Sequence, residues 1–131
     1  MSPETIIALD GMGGDNAPTM VVHGADIALE RMPDLFFKIV GDEKQLEPLV
    51  AASKYLNNSN CSVIHTDKKV GDSEKPSVAL RNGRDTSMRL AIDLVANSEA
   101  HGIVSAGNTG ALMVMSKLGL RMCPGIDRPA I

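Results

Sequence analysis

The sequence contains few aromatic residues, few cysteines and no excess of positive charge. Aromatic side chains are only 2% of the 131 residues, which argues against the base-stacking surfaces that bind single-stranded nucleic acids. The formal net charge of −3 argues against a generally basic nucleic-acid-binding surface. Two cysteines, Cys61 and Cys123, are too few for a disulfide scaffold and lack C-x-x-C metal-site spacing. We therefore expect no nucleic-acid partner and no bound metal.

Long apolar segments are also missing. No apolar run approaches the roughly 20 residues of a membrane-spanning helix. The first residues, MSPETIIALDGMGGD, lack the basic start and the long apolar stretch of a signal peptide. Hydrophobic residues at 44% and charged residues at 22% are typical of a globular protein, and the length suits one domain. The composition predicts a soluble, cytoplasmic α/β domain.

Short apolar runs alternate with segments of helical periodicity. Four apolar runs are typical of buried parallel strands because they are short and are bounded by turn residues. They occupy residues 5–9, 35–40, 62–65 and 102–105. Apolar residues at helical spacing follow them, at about 18–32, from 42 onward, at 88–95 and at 111–118. The segment at 88–95 belongs to one helical region that is expected to begin after residue 76. This alternation predicts parallel β-α-β units with right-handed crossovers.

The last residues have the pattern that precedes a β-strand. The segment RPAI, residues 128–131, is typical of the approach to a fifth strand. A doubly wound sheet seldom stops at such a point. We therefore expect residues 1–131 to be the N-terminal portion of a longer α/β enzyme.

The first apolar run ends in the sequence DGMGGDN, residues 10–16, which we name the first glycine turn. Glycine permits positive φ and close backbone approach, so the amides of Gly13 and Gly14 are suited to hold an anion. The turn lacks the dinucleotide-binding fingerprint, because its sixth position from the first glycine is asparagine. Asp10 and Asp15 repel a phosphate unless a cation or basic side chain intervenes. The residues alone leave open an anion site or a simple strand-to-helix turn.

The fourth apolar run leads into SAGNTGA, residues 105–111, which we name the second glycine turn. A helix begins directly after it, so unpaired N–H groups and the positive end of the helix dipole face the ligand side. Asn108 and Thr109 either cap this helix or help to bind a phosphate or a developing oxyanion. The candidate ligand residues of this turn are Ser105, Gly107, Asn108, Thr109 and Gly110.

Positive charge is concentrated in residues 68–89, which hold six basic and three acidic side chains. Most runs of this kind are solvated helix faces. Lys75 and Arg81 are nonetheless suited to supply the cations that a phosphate site needs, and arginine binds phosphate in a bidentate manner. Both interpretations stay open on the sequence.

Three segments together resemble the bacterial phosphate acyltransferase family of phospholipid synthesis. They are LDGMGGD near the start, KPSVALRNGRDTSM in the middle and VSAGNTGALM near the end. Residues 10–15 match the family's opening motif, Asp-x-Met-Gly-Gly-Asp, and the final segment GIDRPAI also resembles the family's sequence pattern. The resemblance covers about residues 6–131, whereas family members are more than twice as long as this chain.

This resemblance implies a three-layer α/β/α sandwich with a mostly parallel, Rossmann-like sheet, of which only the N-terminal part is present. It implies a homodimer without a cofactor that transfers a fatty acyl group from acyl carrier protein to inorganic phosphate. The acyl phosphate product serves to acylate glycerol 3-phosphate in phospholipid synthesis. The family is cytoplasmic, and some members associate peripherally with the inner face of the cell membrane.

A mechanism that fits these residues divides them between the two reactants. The expected phosphate ligands are Lys75, Arg81 and the backbone N–H groups of Gly13 and Gly14. The expected oxyanion donors are Asn108, Thr109 and the backbone N–H of Gly110. The two roles are exchangeable, with the second glycine turn holding phosphate instead. Asp10 and Asp15 orient the basic groups or act as a weak base.

Two other functions compete with this interpretation. A nucleotide-linked dehydrogenase of similar architecture needs an intact glycine fingerprint and an acidic residue for the ribose, for which Asp42 is the fair candidate. The other alternative is a non-catalytic fragment that only dimerises or associates with a membrane.

Overall fold

A computed structural model describes residues 5–130 as four strands and five helices. In chain order they are β1 (Thr5–Asp10), α1 (Thr19–Arg31), β2 (Leu35–Gly41), α2 (Glu43–Ala51), β3 (Cys61–His65), α3 (Pro76–Asn82), α4 (Ser87–Ala96), β4 (Gly102–Val104) and α5 (Thr109–Leu120). Each strand coincides with one of the four apolar runs, so the predicted alternation of strands and helices is confirmed.

All four strands are parallel and follow the order β3-β2-β1-β4. From β1 the chain steps outward to β2 and β3, and then returns to the opposite edge of β1 to form β4. The order therefore reverses between β1 and β4. Ligands of open parallel sheets bind at such a switch point, outside the carboxyl ends of the strands. Both glycine turns begin at these two strand ends.

Side chains of the sheet alternate between two helical layers. Phe37 and Ile39 of β2 lie in the cluster formed with α1 and α2. Val40, which points the other way, packs in a cluster with Ala91 of α4. Helices α3 and α5 join α4 on this second side, around the fully buried Met115. The chain therefore has the expected α/β/α arrangement.

The helical region expected after residue 76 is divided into two helices, α3 and α4. Gly83 follows α3 where a Cβ atom would collide with the carbonyl oxygen of Ala79. The hydroxyl of Thr86 then caps α4 by accepting the N–H of Arg89 at 3.4 Å. The Thr86 cap therefore starts a new helix, and the spacing of apolar residues alone does not predict this boundary.

Residues 121–130 contain no helix or strand. The expected approach to a fifth strand is therefore not formed by residues 128–130, and Ile131 lies outside the described residues. Among residues 5–130, β4 pairs only with β1, so its other edge has no strand partner.

Candidate functional site

The two glycine turns pack directly against each other. They follow neighbouring strands, since Leu9 of β1 is paired with Val104 of β4. A Cβ atom built on Gly107 would lie 3.2 Å from the Cα of Gly13, and one built on Gly13 would lie 3.1 Å from the Gly107 nitrogen. Glycine is required at both positions, because any side chain would force the turns apart.

Asp10 is the buried centre of this contact, with 2% of its surface exposed. Its Oδ1 accepts a hydrogen bond from the Ser87 hydroxyl at 2.5 Å and one from the Met12 N–H at 3.3 Å. Its Oδ2 accepts a hydrogen bond from the Ser105 hydroxyl at 2.8 Å. The Gly107 N–H donates in turn to Ser105 Oγ at 3.1 Å. Both carboxylate oxygens are therefore occupied inside the protein, where such bonds offset the desolvation of the charge.

Sequence reasoning missed Ser87 in this cluster. The residue is 77 positions away from Asp10 and begins α4, where small polar residues are common for capping reasons alone. No local pattern distinguishes it, and only the packing of α4 against β1 brings the two residues together.

Asn108 caps α5 and also ties that helix to the loop before α3. Its Oδ1 accepts the N–H of Ala111 at 3.1 Å. Its Nδ2 donates to the carbonyl oxygens of Glu74 at 2.8 Å and Gly71 at 3.0 Å. Both ends of the side chain are therefore engaged in the fold, and its role as an oxyanion donor stays a prediction.

Several backbone N–H groups around the switch point are free. Within residues 5–130, the N–H groups of Gly14, Asp15, Thr109 and Gly110 have no hydrogen-bond acceptor. Two of them belong to the first turn of α5, where the helix leaves its initial donors unpaired. Such donors at the positive end of a helix dipole attract anions.

The two expected cations, Lys75 and Arg81, lie at opposite ends of α3. Lys75 occupies the N-cap position of α3 and is exposed, and the Pro76 that follows contacts Gly110 closely. Arg81 is exposed in the last turn of the same helix, about 9 Å further along its axis. The structure therefore brings Lys75 to the second turn and places Arg81 at the far end of α3.

Two ion pairs neutralise part of the basic segment. Lys68 Nζ lies 2.6 Å from Asp85 Oδ2, and Arg89 Nε lies 3.0 Å from Asp93 Oδ1. Within the described part of the chain, the other four cations of the segment form no ion pair. They are Lys69, Lys75, Arg81 and Arg84, and all four are exposed.

A mostly apolar cavity of about 550 Å³ opens between the first glycine turn and α1. Asp10, Gly13 and Gly14 line its polar end, and α1 lines much of the remainder. Val104 at the end of β4 borders it and is 56% exposed, which is unusual for an apolar strand residue. At Gly24 of α1 a Cβ atom would meet nothing within 4 Å. Small residues on α1 therefore leave room beside the switch point.

Other potentially reactive groups lie away from the switch point. Burial raises the pKa of the Cys61 thiol to about 11, so this cysteine is protonated at neutral pH. Within residues 5–130 no group of three His, Cys, Asp or Glu side chains is arranged to hold a metal ion. None of the helices in that range is long and apolar enough to cross a membrane.

Asp42, the ribose candidate of the dehydrogenase alternative, caps α2. Its side chain accepts hydrogen bonds from Gln45 Nε2 at 2.9 Å and from the Lys44 N–H at 3.0 Å. The hydrogen bond from the Gln45 amide lowers the pKa of Asp42 below its usual value, and the hydrogen bond from the Lys44 N–H adds to this effect. The carboxylate is therefore engaged in its own helix, as the spacing of Asp42 and Gln45 predicts.

Comparison with known proteins identifies the same whole-chain pattern. The model of a family described as fatty acid synthesis protein matches residues 5–131. A phosphate acyltransferase from Rhodospirillum centenum is 57% identical over 132 residues, covering 100% of this chain and 37% of that protein. A phosphate acyltransferase from Aliivibrio fischeri is 44% identical over 125 residues, covering 95% of this chain and 37% of that protein.

The chain therefore spans about 37% of the length of these relatives. The names of these relatives and the description of the family agree with an acyltransferase of lipid synthesis. The matched region contains both glycine turns, Asp10 and Ser87. Because the family model covers nearly every residue, the chain belongs to the fatty acid synthesis protein family.

Proposed function

We propose that this chain forms part of the active site of an enzyme that transfers a fatty acyl group from acyl carrier protein to inorganic phosphate. The observation that carries the proposal is the convergence of two glycine turns at the switch point, with free backbone N–H groups on both. The names of the relatives, which describe transfer of an acyl group and involve phosphate, supply the reaction class.

Phosphate binding is assigned to the backbone N–H groups and to the cations near them. The free N–H groups of Thr109 and Gly110 face the ligand edge at the start of α5, and Lys75 lies beside them. The N–H groups of Gly14 and Asp15 provide a second anion-binding position on the first glycine turn. One position holds phosphate while the other stabilises the oxyanion, and either assignment is compatible with this geometry.

The chemical step needs positioning more than acid–base catalysis, because phosphate is already partly dianionic at neutral pH. A phosphate oxygen attacks the thioester carbonyl carbon, and the carbonyl oxygen becomes an oxyanion held by backbone N–H groups. The C–S bond then breaks, and the carrier thiolate leaves and takes a proton from water. Holding the two reactants in line accounts for several kcal/mol of barrier lowering, and one well-placed oxyanion donor for about 3–4 kcal/mol.

The apolar cavity is the proposed position of the acyl chain. It opens beside the first glycine turn, so a thioester carbonyl held there directs its alkyl chain along α1. A volume of about 550 Å³ lies in the range of small-molecule sites.

The four unpaired cations of the basic segment are the proposed contact for the acidic carrier protein. All four are exposed, and Lys75 lies beside the second glycine turn, where the carrier must deliver its thioester. Steering by exposed charges weakens with salt, so kcat/KM for the carrier substrate is expected to fall steeply with ionic strength. A homodimer and a peripheral membrane contact stay predictions from the family resemblance.

The test is a chimera in which residues 1–131 replace the matching segment of the Rhodospirillum centenum phosphate acyltransferase. Acyl phosphate formed from acyl carrier protein and inorganic phosphate is trapped with hydroxylamine. We expect phosphate-dependent hydroxamate from the chimera at a rate comparable with the unmodified relative. A folded chimera that forms none, beside an active relative, contradicts the proposal.

The dehydrogenase alternative has less support. The glycine fingerprint is incomplete, and Asp42 is engaged in capping α2. A thermal shift of this chain with NAD at millimolar concentration checks the alternative directly, and we expect none. A shift of several degrees favours the dehydrogenase.

A further inference from the structure

The carboxylate of Asp10 joins three parts of the molecule through a continuous row of hydrogen bonds. Ser87, the first residue of α4, donates to one oxygen, and Ser105, at the start of the second glycine turn, donates to the other. The N–H of Gly107 then donates to the Ser105 hydroxyl. The row runs from α4 through the first glycine turn into the second.

We propose that Ser87 is a positioning residue that acts through Asp10. By holding this carboxylate, it sets the spacing of the two glycine turns and so aligns phosphate with the thioester. The proposal rests on the function proposed above. It also replaces the expected role of Asp10 as a weak base with that of a fixed anchor.

Burial supports this assignment. Ser87 has no exposed surface, and Asp10 is only 2% exposed although it borders the cavity, so little of either side chain is accessible to a substrate. A general base must reach the proton it removes, whereas both oxygens of Asp10 already accept hydrogen bonds from within the protein. Their contribution to catalysis is therefore indirect.

Removal of the Ser87 hydroxyl leaves Oδ1 with the Met12 N–H alone, at 3.3 Å. A buried carboxylate with too few donors is costly, so the Asp10 side chain is expected to rotate or to shift together with its backbone. Either change reaches Ser105 and Gly107, because they are bonded to Asp10 in series. Gly13 packs against the same carboxylate, so the first glycine turn moves as well.

The experiment uses the chimera with Ser87→Ala, Ser105→Ala and the double substitution, and Ser77→Ala as a control. Ser77 is an exposed serine of α3, away from Asp10. We expect kcat to fall about 100-fold for either site variant, the size typical of a misplacement near 1 Å. The double variant is expected to lose little more than either single one, because both serines act through one carboxylate. Ser77→Ala is expected to leave kcat unchanged.

Asp10→Asn and Asp10→Ala separate an anchor from a base and do not depend on the serine variants folding. The asparagine amide keeps both contacts, because its oxygen accepts from one serine and its nitrogen donates to the other. We expect Asp10→Asn to retain kcat within about tenfold, with an unchanged pH profile, and Asp10→Ala to lose about 100-fold. If Asp10 acted as a general base, both substitutions would remove the base and would lower kcat by the same factor.

The outcomes are distinct. A Ser87→Ala chimera as active as Ser77→Ala overturns the positioning role, and so do losses that multiply in the double variant. Equal inactivity of Asp10→Asn and Asp10→Ala restores Asp10 as a base and overturns the anchor. An unsubstituted chimera that folds but is inactive rejects the proposed function and the positioning role together.

Discussion

The two glycine turns resemble each other in sequence and differ in how their polar side chains are used. In the first turn, the acidic side chain at the strand end is buried and accepts hydrogen bonds from two serines. In the second turn, the amide of Asn108 reaches outward to carbonyl groups of the loop before α3. The first turn is therefore fixed by hydrogen bonds to buried side chains, and the second turn is fixed by hydrogen bonds to the loop before α3.

In these turns the polar side chains and the backbone N–H groups differ in whether they have hydrogen-bond partners. The polar side chains that look like ligands in the sequence, Asp10, Ser105 and Asn108, all have partners within the fold. Within residues 5–130, the backbone N–H groups of Gly14, Asp15, Thr109 and Gly110 have no acceptor. We therefore propose that the three side chains fix the shape of the turns and that these N–H groups bind the anion.

The largest expected effect on stability is that of Gly13→Ala. A Cβ atom there would collide with the buried carboxylate of Asp10 and press on the Gly107 nitrogen, neither of which has room to move. We expect the free energy of unfolding of the chain to fall by about 3 kcal/mol, the upper part of the range for overpacking. Urea unfolding followed by circular dichroism measures it.

Gly24→Ala is the matched control for this glycine. Its Cβ meets no atom within 4 Å, and alanine is the better helix former by about 1 kcal/mol. We expect a small gain in stability. A Gly13→Ala chain as stable as Gly24→Ala would mean that the two turns do not need their close contact.

Asn108→Ala is expected to destabilise the chain by about 2 kcal/mol, from a lost helix cap and lost hydrogen bonds to the loop before α3. Asn108→Asp keeps the acceptor that caps α5 and loses the donor, so it separates the two contributions. We expect an intermediate loss for Asn108→Asp by thermal and urea unfolding. If both variants unfold like the unsubstituted chain, the second turn is not held by this side chain.

Gly24→Phe is the substitution that examines the cavity beside the first turn. The ring enters open space lined by α1, so it shortens the cavity. In the chimera we expect kcat/KM to fall about tenfold for a long acyl chain and little for a short one. An equal fall for all chain lengths in a folded chimera contradicts the placement of the acyl chain in this cavity.

The smallest expected effect is that of Lys68→Ala, which removes the exposed Lys68–Asp85 ion pair. The Asp85 carboxylate raises the pKa of Lys68, and the Lys68 ammonium lowers the pKa of Asp85. The contribution of the pair is present between the two ordinary pKa values, about 3.9 and 10.4. It is lost as pH falls through the pKa of Asp85 in the folded chain, and as pH rises through that of Lys68.

The small shift in unfolding midpoint is therefore expected to be constant from about pH 5 to 9 and to shrink in 1 M salt. Differential scanning fluorimetry at several pH values checks it. A shift that grows with salt contradicts the assignment to a surface ion pair.

Local sequence patterns predicted much of the fold. Apolar runs ending at polar or glycine-rich residues located all four strands, and the spacing of Asp42 and Gln45 predicted the cap of α2. These features depend on neighbouring residues, which a sequence displays directly. The boundary between α3 and α4 was missed because it depends on Gly83 and the Thr86 cap, inside one run of helical spacing.

The sequence predicted the location of the candidate site but not the hydrogen bonds that connect its residues. Its location follows from the sequence, because parallel strands bring their carboxyl ends, and the glycine turns that follow, to one edge of a sheet. Strand order decided that β1 and β4 are neighbours, and the packing of α4 on β1 decided that Ser87 reaches Asp10. Contacts across 77 and 95 residues leave no local periodicity, since a buried hydrogen bond depends on three-dimensional proximity and not on spacing along the chain.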